Sequence, residues 1–169
     1  MIRMDRILVI GSPGSGKTTF SLQLAAKTRL PLTHLDQLYW NDNWVSVPSD
    51  IFDAKLLSEL QKTHWIIDGN YGRTLPLRLK YCDTVLYLDY PRLLCLWGAF
   101  LRIIKNYGKS RPDMGGNCPE RFDWDFIHSI WHFPKLHRKK YQAMLRDAPG
   151  ITVHIFHSRR EAAHWLSSL

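Results

Sequence analysis

Cysteine is scarce. The 169-residue chain has three (Cys82, Cys95 and Cys118), and no two of them form a C-x-x-C pair. Three thiols cannot all be paired, so a disulfide scaffold is excluded and a zinc ribbon is not supported. A reducing compartment, the cytoplasm, is expected. No apolar run reaches the ~18 residues that a membrane-spanning helix needs, so no membrane partner is expected. The opening MIRMDRILVIG carries charge within a strand-like run and does not read as a secretory leader. Internal repeats, low-complexity tracts and long linkers are missing as well. Apolar side chains (45%) and aromatic ones (12%) are plentiful, too much so for a disordered chain. A chain of this length forms one compact domain, 1–169, which buries roughly 70% of its extended surface.

Acidic residues are few, 15 against 23 Lys and Arg, and the imbalance is local. Residues 92–146 hold 11 basic and 4 acidic side chains, and so carry +7 of the net +8. A patch of one sign attracts polyanions, either phosphates under a lid or nucleic acid.

Short β-like runs alternate with helical stretches. Residues 6–10, 31–35, 64–67, 84–88 and 150–156 read as strands. Residues 17–27, 50–62, 91–106 and 123–146 read as helices, the last kinked at Pro134, and Ser158 to Glu161 is a capping box that opens a final helix. This alternation indicates an α/β fold with a largely parallel sheet covered on both faces.

Between the first strand and the first helix, Gly11-Ser12-Pro13-Gly14-Ser15-Gly16-Lys17-Thr18 satisfies G-x-x-x-x-G-K-[ST] in full, and Thr19 follows. Glycines let the backbone turn its N–H groups inward around phosphate oxygens, and the helix start adds unpaired donors. Lys17 brings charge to the β/γ-phosphates and Thr18 a hydroxyl to Mg²⁺, which makes ATP and Mg²⁺ the expected cofactors. Ligands in open parallel sheets lie beyond the carboxyl ends of the strands, where Asp36, Asp68 and Asp89 fall. Each is either a functional acid or a turn-former, and Asp89 could cap the helix after it. Residues 105–123, with glycines at 108, 115 and 116, read as a basic lid that is open and mobile without ligand. Its Arg111 is the candidate transition-state arginine, with Arg102 and Arg138 as second candidates on the flanking helices. Tyr39, Trp40 and Trp44 form either a stacking platform for an acceptor or a small satellite core. Trp124, Ile127 and Trp131 sit at core-like helical spacing, and His128 and His132 lack further ligands for a metal.

The phosphate loop, followed by a strand ending in Asp68-Gly69 and then by Arg73, resembles the adenylate-kinase-like branch of P-loop kinases, with one extra residue between glycine and arginine. A closer resemblance spans nearly the whole chain. HLDQLYW (34–40), WIIDGNYGRTL (65–75), DTVLYLDYPRLLCL (83–96), KSRPDM (109–114) and CPERFDW (118–124) are similar to the small bacterial proteins labelled topology modulation protein, or FlaR-like. These resemblances imply a three-layer P-loop fold with a five-stranded parallel sheet of order 2-3-1-4-5. They imply ATP-dependent phosphoryl transfer to a small acceptor, a nucleotide first of all, with an ATP-binding DNA-topology role as the alternative. In that reading Asp68 sits by the magnesium, Arg102 helps hold the donor, and Arg73, Asp36, Tyr39 and Trp40 face the acceptor within 36–64. Asp36 orients a phosphate acceptor or acts as base toward an alcohol. Weak nucleic-acid binding through 92–146 would accompany any basic protein.

Because the loop backbone supplies the cradle and Lys17 the charge, Lys17→Ala should abolish phosphoryl transfer and leave the thermal unfolding transition in place. ADP release and a melting curve on the same sample check both halves.

Overall fold

The computed structural model describes residues 4–169, so the first three residues of the charged start lie outside it. Among the described residues, five strands form one parallel sheet: β1 (Arg6–Gly11), β2 (Leu32–His34), β3 (Trp65–Asp68), β4 (Thr84–Leu88) and β5 (Thr152–Phe156). Their order is β2-β3-β1-β4-β5, the order that the resemblance implied. No helix among these residues is long and apolar enough to cross a membrane.

Alternation along the buried strands divides the core. Leu8, Ile10, Trp65, Ile67, Val85 and Tyr87 face one layer, together with helices α2 (Leu35–Tyr39), α3 (Ser49–Leu60), α4 (Leu75–Leu79) and α7 (Lys139–Arg146). Ile7, Val9, Ile66, Leu86 and Leu88 face the other, with α1 (Lys17–Thr28), α5 (Arg92–Asn106) and α8 (Arg159–Ser167). Near-continuous apolar runs at β1 and β4 are what a sheet covered on both sides requires. The helix α6 (Trp124–Phe133) starts at Asp123, whose side chain accepts from the Asp125 and Phe126 amides. Helix α8 opens with the expected capping box of Ser158 and Glu161.

Several elements differ from the sequence reading. The second strand is shorter, because the chain enters α2 at Leu35 and then forms a small antiparallel ribbon that pairs Trp40–Asn41 with Val45–Ser46. At Pro134 the helix does not split. It absorbs the missing N–H in a π-helical turn, Pro134–Arg138, and continues as α7. Asp89 does not cap α5: the cap position belongs to Pro91, and Asp89 accepts from Arg138 Nε at 2.8 Å. Trp124 and Trp131 are not core. They are 75% and 43% exposed, and the buried residues of α6 are Ile130 and Phe133. Helical spacing places side chains on one face but does not say which face meets the core.

The loop after β1 packs directly on α5 through two glycines. Gly14 has φ +78°, and a Cβ there would stand 2.1 Å from the Cys95 carbonyl oxygen. A Cβ on Gly98 would stand 2.3 Å from the Gly14 carbonyl oxygen. In an open helix, Gly→Ala would stabilise by ~1 kcal/mol. Here the collision is with backbone that cannot swing aside, so Gly98→Ala should instead destabilise by ~1–3 kcal/mol and weaken nucleotide binding. Urea unfolding and nucleotide titration check this.

Candidate active site

The loop between β1 and α1 wraps one end of a cleft of about 1110 Å³ at the carboxyl ends of the strands. Pro13 to Thr19 line it, together with Asp36, Trp40, Asp68, Arg102 and Arg111. Gly11 and Ser12 lie behind this lining. The Gly11 N–H donates to Asn70 Oδ1 at 3.1 Å, and the buried Ser12 hydroxyl donates to the Pro13 carbonyl. Lys17 Nζ folds over the loop and donates to the Gly11 and Ser12 carbonyls, each at 3.0 Å. Burial lowers the Lys17 pKa, although Asp68 and Asp36 pull it the other way. The ammonium is thus short of negative partners, a state that anionic phosphates would relieve. The buried Ser15 hydroxyl has no partner in the protein, and α1 begins at Lys17 with no side-chain cap, so donors stand ready for an anion.

Sheet register brings the acids together. His34 on β2 is level with Asp68 on β3, which is level with Val9 on β1. His34 Nδ1 lies 2.9 Å from Asp68 Oδ1, both side chains being buried. Burial disfavours the His34 imidazolium, but the Asp68 hydrogen bond and charge outweigh it, and the pKa is raised. Asp68 Oδ2 is buried without a protein partner. A free carboxylate oxygen in the same cleft as the Thr18 hydroxyl fits a hydrated magnesium ion. Asp36, two residues past His34, accepts from the Tyr71 hydroxyl at 2.5 Å. Burial raises its pKa, against the opposing effects of Tyr71 and Arg111.

Arg78, which the sequence reading missed, organises this end of the sheet. It is fully buried on α4 and donates to the carbonyls of Gly69 (2.9 Å), Asn70 and Tyr71 (3.1 Å). Burial pushes its pKa down to about 10, so it stays charged at neutral pH. Tyr71 has φ +34°, which a non-glycine residue rarely adopts. The arginine holds it there, with its hydroxyl on Asp36. Arg73, the arginine expected to face the acceptor, points elsewhere: it is exposed and forms two hydrogen bonds with Asp53, at 2.6 and 2.9 Å. Two arginines follow Asp68-Gly69, and the sequence pattern does not distinguish the internal one.

The segment 107–123 is not an unpaired cationic loop. Arg111 pairs with Asp113 at 2.9 Å and Glu120 at 3.0 Å, and Arg102 pairs with Glu120 at 3.1 Å. Asp113 Oδ2 also accepts from the Thr18 hydroxyl at 3.3 Å, linking the lid to the phosphate loop. Burial and the neighbouring Arg111 lower the Arg102 pKa against the pull of Glu120. Gly115 and Gly116 are points of close packing. A Cβ on either would stand within 2.6 Å of backbone atoms of Gln37, Trp40, Asn41 or Asp42, so the lid lies flat on the ribbon. Trp44 Nε1 donates to the Pro119 carbonyl at 3.1 Å, and the Asp42 carboxylate accepts from the Asn117 amide at 2.6 Å.

Of the aromatic trio, Trp40 and Trp44 line the cleft, while Tyr39 packs among Trp40, Phe52 and Tyr71. Arg138 lies on the Asp89 side and does not line the cleft. The His128 and His132 rings lie 4.1 Å apart, tilted by 45°, and no group of three or more potential metal ligands occurs among the described residues. All three cysteines are buried and free.

No family model and no curated protein sequence matches the chain significantly. Solved structures do. A shikimate kinase from Acinetobacter baumannii, solved with shikimate, superposes with a TM-score of 0.65 at 15% identity, covering 99% of this chain and 91% of that one. A shikimate kinase from Bacteroides thetaiotaomicron gives a TM-score of 0.57 at 16% identity, covering 98% and 96%. The chain has a P-loop kinase fold. At this identity the likeness concerns the fold, and the site must be argued from its own residues.

Arg78→Met would keep the volume but leave three carbonyls without their donor. At roughly 1–3 kcal/mol for each unsatisfied buried group, the variant should lose ~3 kcal/mol or more. That is a large part of the 5–15 kcal/mol typical of a domain. Urea unfolding with and without ATP should show both a lower midpoint and a smaller ATP-induced shift.

Proposed function

We propose that the protein is an ATP-dependent phosphotransferase whose acceptor is a hydroxyl-bearing small molecule. The observation that carries this reading is Asp36, a half-buried carboxylate with a raised pKa, held by Tyr71 in the same cleft as Lys17, Arg102 and Arg111. A carboxylate poised above its usual range is a better base for an alcohol than an ordinary one. Pro13 to Thr19 would hold the phosphates of the donor, and Thr18 with Asp68 would hold magnesium, directly or through water. Bound there, ATP supplies the transferable phosphoryl group and magnesium offsets phosphate charge.

The chain's own residues account for the remaining requirements. Tyr71 holds one oxygen of Asp36, so the other is left to take the acceptor proton as the new O–P bond forms and the bond to ADP breaks. Arg111, and Arg102 beside it, supply positive charge where it develops on the transferring group. The docked lid and the Trp40–Trp44 wall exclude water that would otherwise accept the phosphoryl group.

A nucleotide acceptor is the second reading, favoured by the Trp40 and Trp44 rings on the cleft wall, against which a base could stack. Arg73 offers it no support, since it is engaged by Asp53 outside the cleft. The segments that resemble topology modulation proteins supply residues lining this cleft, which supports a kinase reading of them. A role in DNA topology draws no support from these walls.

The test is coupled ADP release against a panel of hydroxylated metabolites and nucleoside monophosphates. Asp36→Asn should lower kcat by ~10²–10⁴ with an alcohol acceptor and leave nucleotide binding intact. In the native enzyme, kcat/KM should rise with pH through the raised Asp36 pKa, above the usual carboxylate range. A carboxyl raised in the folded state costs stability above that pKa and ceases to do so below its unfolded value. The same variant should therefore melt higher than the native protein at neutral pH. Turnover with nucleoside monophosphates alone, undiminished in Asp36→Asn, would overturn the hydroxyl reading.

A further inference from the structure

Helix α5 is apolar on two sides. Its inner side, Cys95, Ala99 and Ile103, is buried, with Cys95 and Ala99 in the core layer of α1 and α8 and against the phosphate loop. Its outer side carries Leu93 (68% exposed), Trp97, Phe100 and Ile104 (60% exposed), with Tyr107 just beyond the helix end (66% exposed). Spacings of four, three, four and three residues place these five on one narrow stripe at 3.6 residues per turn. The stripe runs for about 20 Å at 1.5 Å per residue. Trp97 and Phe100 stack at 5.7 Å between ring centres, so the outer side is already an organised surface. Trp131 of α6 adjoins one end through Arg92, whose guanidinium lies 4.6 Å from the centre of its ring. A contiguous exposed face of this kind marks an interaction site, because scattered apolar residues would not align.

Charge decides what covers it. Helix α5 contains no Asp or Glu; Arg92 and Lys109 adjoin the two ends of the stripe in sequence, while Lys105 lines the cleft. A second copy of the chain packed on the same stripe would set these cations against each other with no acid to meet them. Single-stranded nucleic acid would satisfy the charge and stack on the aromatic rings, but it offers nothing for Leu93 and Ile104. Trp and Tyr with aliphatic neighbours, rimmed by Lys and Arg, are the side chains that settle at a bilayer interface: rings at the headgroup level, aliphatic groups below, and cations on lipid phosphates.

We propose that the outer face of α5 is a peripheral docking surface for anionic lipid bilayers. This needs no spanning helix, because the helix lies on the interface and its inner side stays buried in the protein. Binding requires the stripe and the flanking cations together, so it depends on anionic lipid and weakens with salt.

The experiment is co-sedimentation of the full chain with phosphatidylcholine–phosphatidylglycerol vesicles and with phosphatidylcholine vesicles. The protein should pellet with the mixed vesicles and remain in the supernatant with the neutral ones. Trp97→Glu/Ile104→Glu should lower partitioning by about tenfold or more. ATP-induced stabilisation of that variant checks its fold, since both residues lie outside the cleft. Lipids brominated in the acyl chain should quench tryptophan emission, and Trp97→Phe should bind as before with less quenching, a readout independent of the charged variant. Failure to pellet with anionic vesicles, or unchanged pelleting of the double variant, overturns the proposal. So does binding without quenching, which would mean adsorption through charge alone. A vesicle-free dimer that the double variant dissolves would assign the stripe to a second copy. Retention of single-stranded DNA but not of vesicles would assign it to nucleic acid.

Discussion

The site depends on one buried cation. Arg78 stands on a five-residue helix on one face of the sheet and reaches the three carbonyls after β3. A guanidinium suits this position because its donors are fixed in a plane, whereas an ammonium would have to choose among the acceptors. Through that one contact the chain after Asp68 is shaped residue by residue. Asn70 meets the Gly11 amide, Tyr71 is held at positive φ with its hydroxyl on Asp36, and Asp68 stays level with His34. The phosphate loop, Asp36 and Asp68 come from three different segments. Their relative placement is fixed from beneath by a residue that does not line the cleft.

The phosphate loop was legible because everything that defines it is local: glycines at set intervals, a lysine, a hydroxyl, an apolar strand before and a helix after. The parallel sheet was legible for a similar reason, since five apolar runs separated by helical stretches leave few arrangements. Arg78 was not. An arginine on a short helix is ordinarily a solvated side chain, and its burial follows only from how 69–71 folds back over α4. His34 was hidden likewise, because its partner arrives through β2–β3 register rather than sequence proximity. The lid was misread for a different reason. Asp113 lies two residues from Arg111, and Glu120 nine, yet a count of net charge over 92–146 averages those pairs away. Charge totals describe a region's far field and say little about which cation is free.

Helices α5 and α6 show the limit of periodicity from another side. In α6 the spacing of Trp124, Ile127 and Trp131 suggested core, but the buried face is carried by Ile130 and Phe133. In α5 apolar residues occupy almost every position, and periodicity cannot tell the side that meets the sheet from the side that does not. The glycine pair at 14 and 98 settles the orientation, because the loop approaches α5 only where a side chain is missing.

The pairing of Arg111 with Asp113 and Glu120 also bears on kinetics. Arg111 is held by two acids of its own segment and Arg102 by one of them, so neither guanidinium is free until a competing anion arrives. Any anion that reached Arg111 would exchange one anionic partner for another. Such an exchange releases Asp113 toward Thr18 rather than toward bulk water. The ionic strength of the medium therefore acts on both sides of that exchange nearly alike, and its balance is set by local geometry rather than by screening.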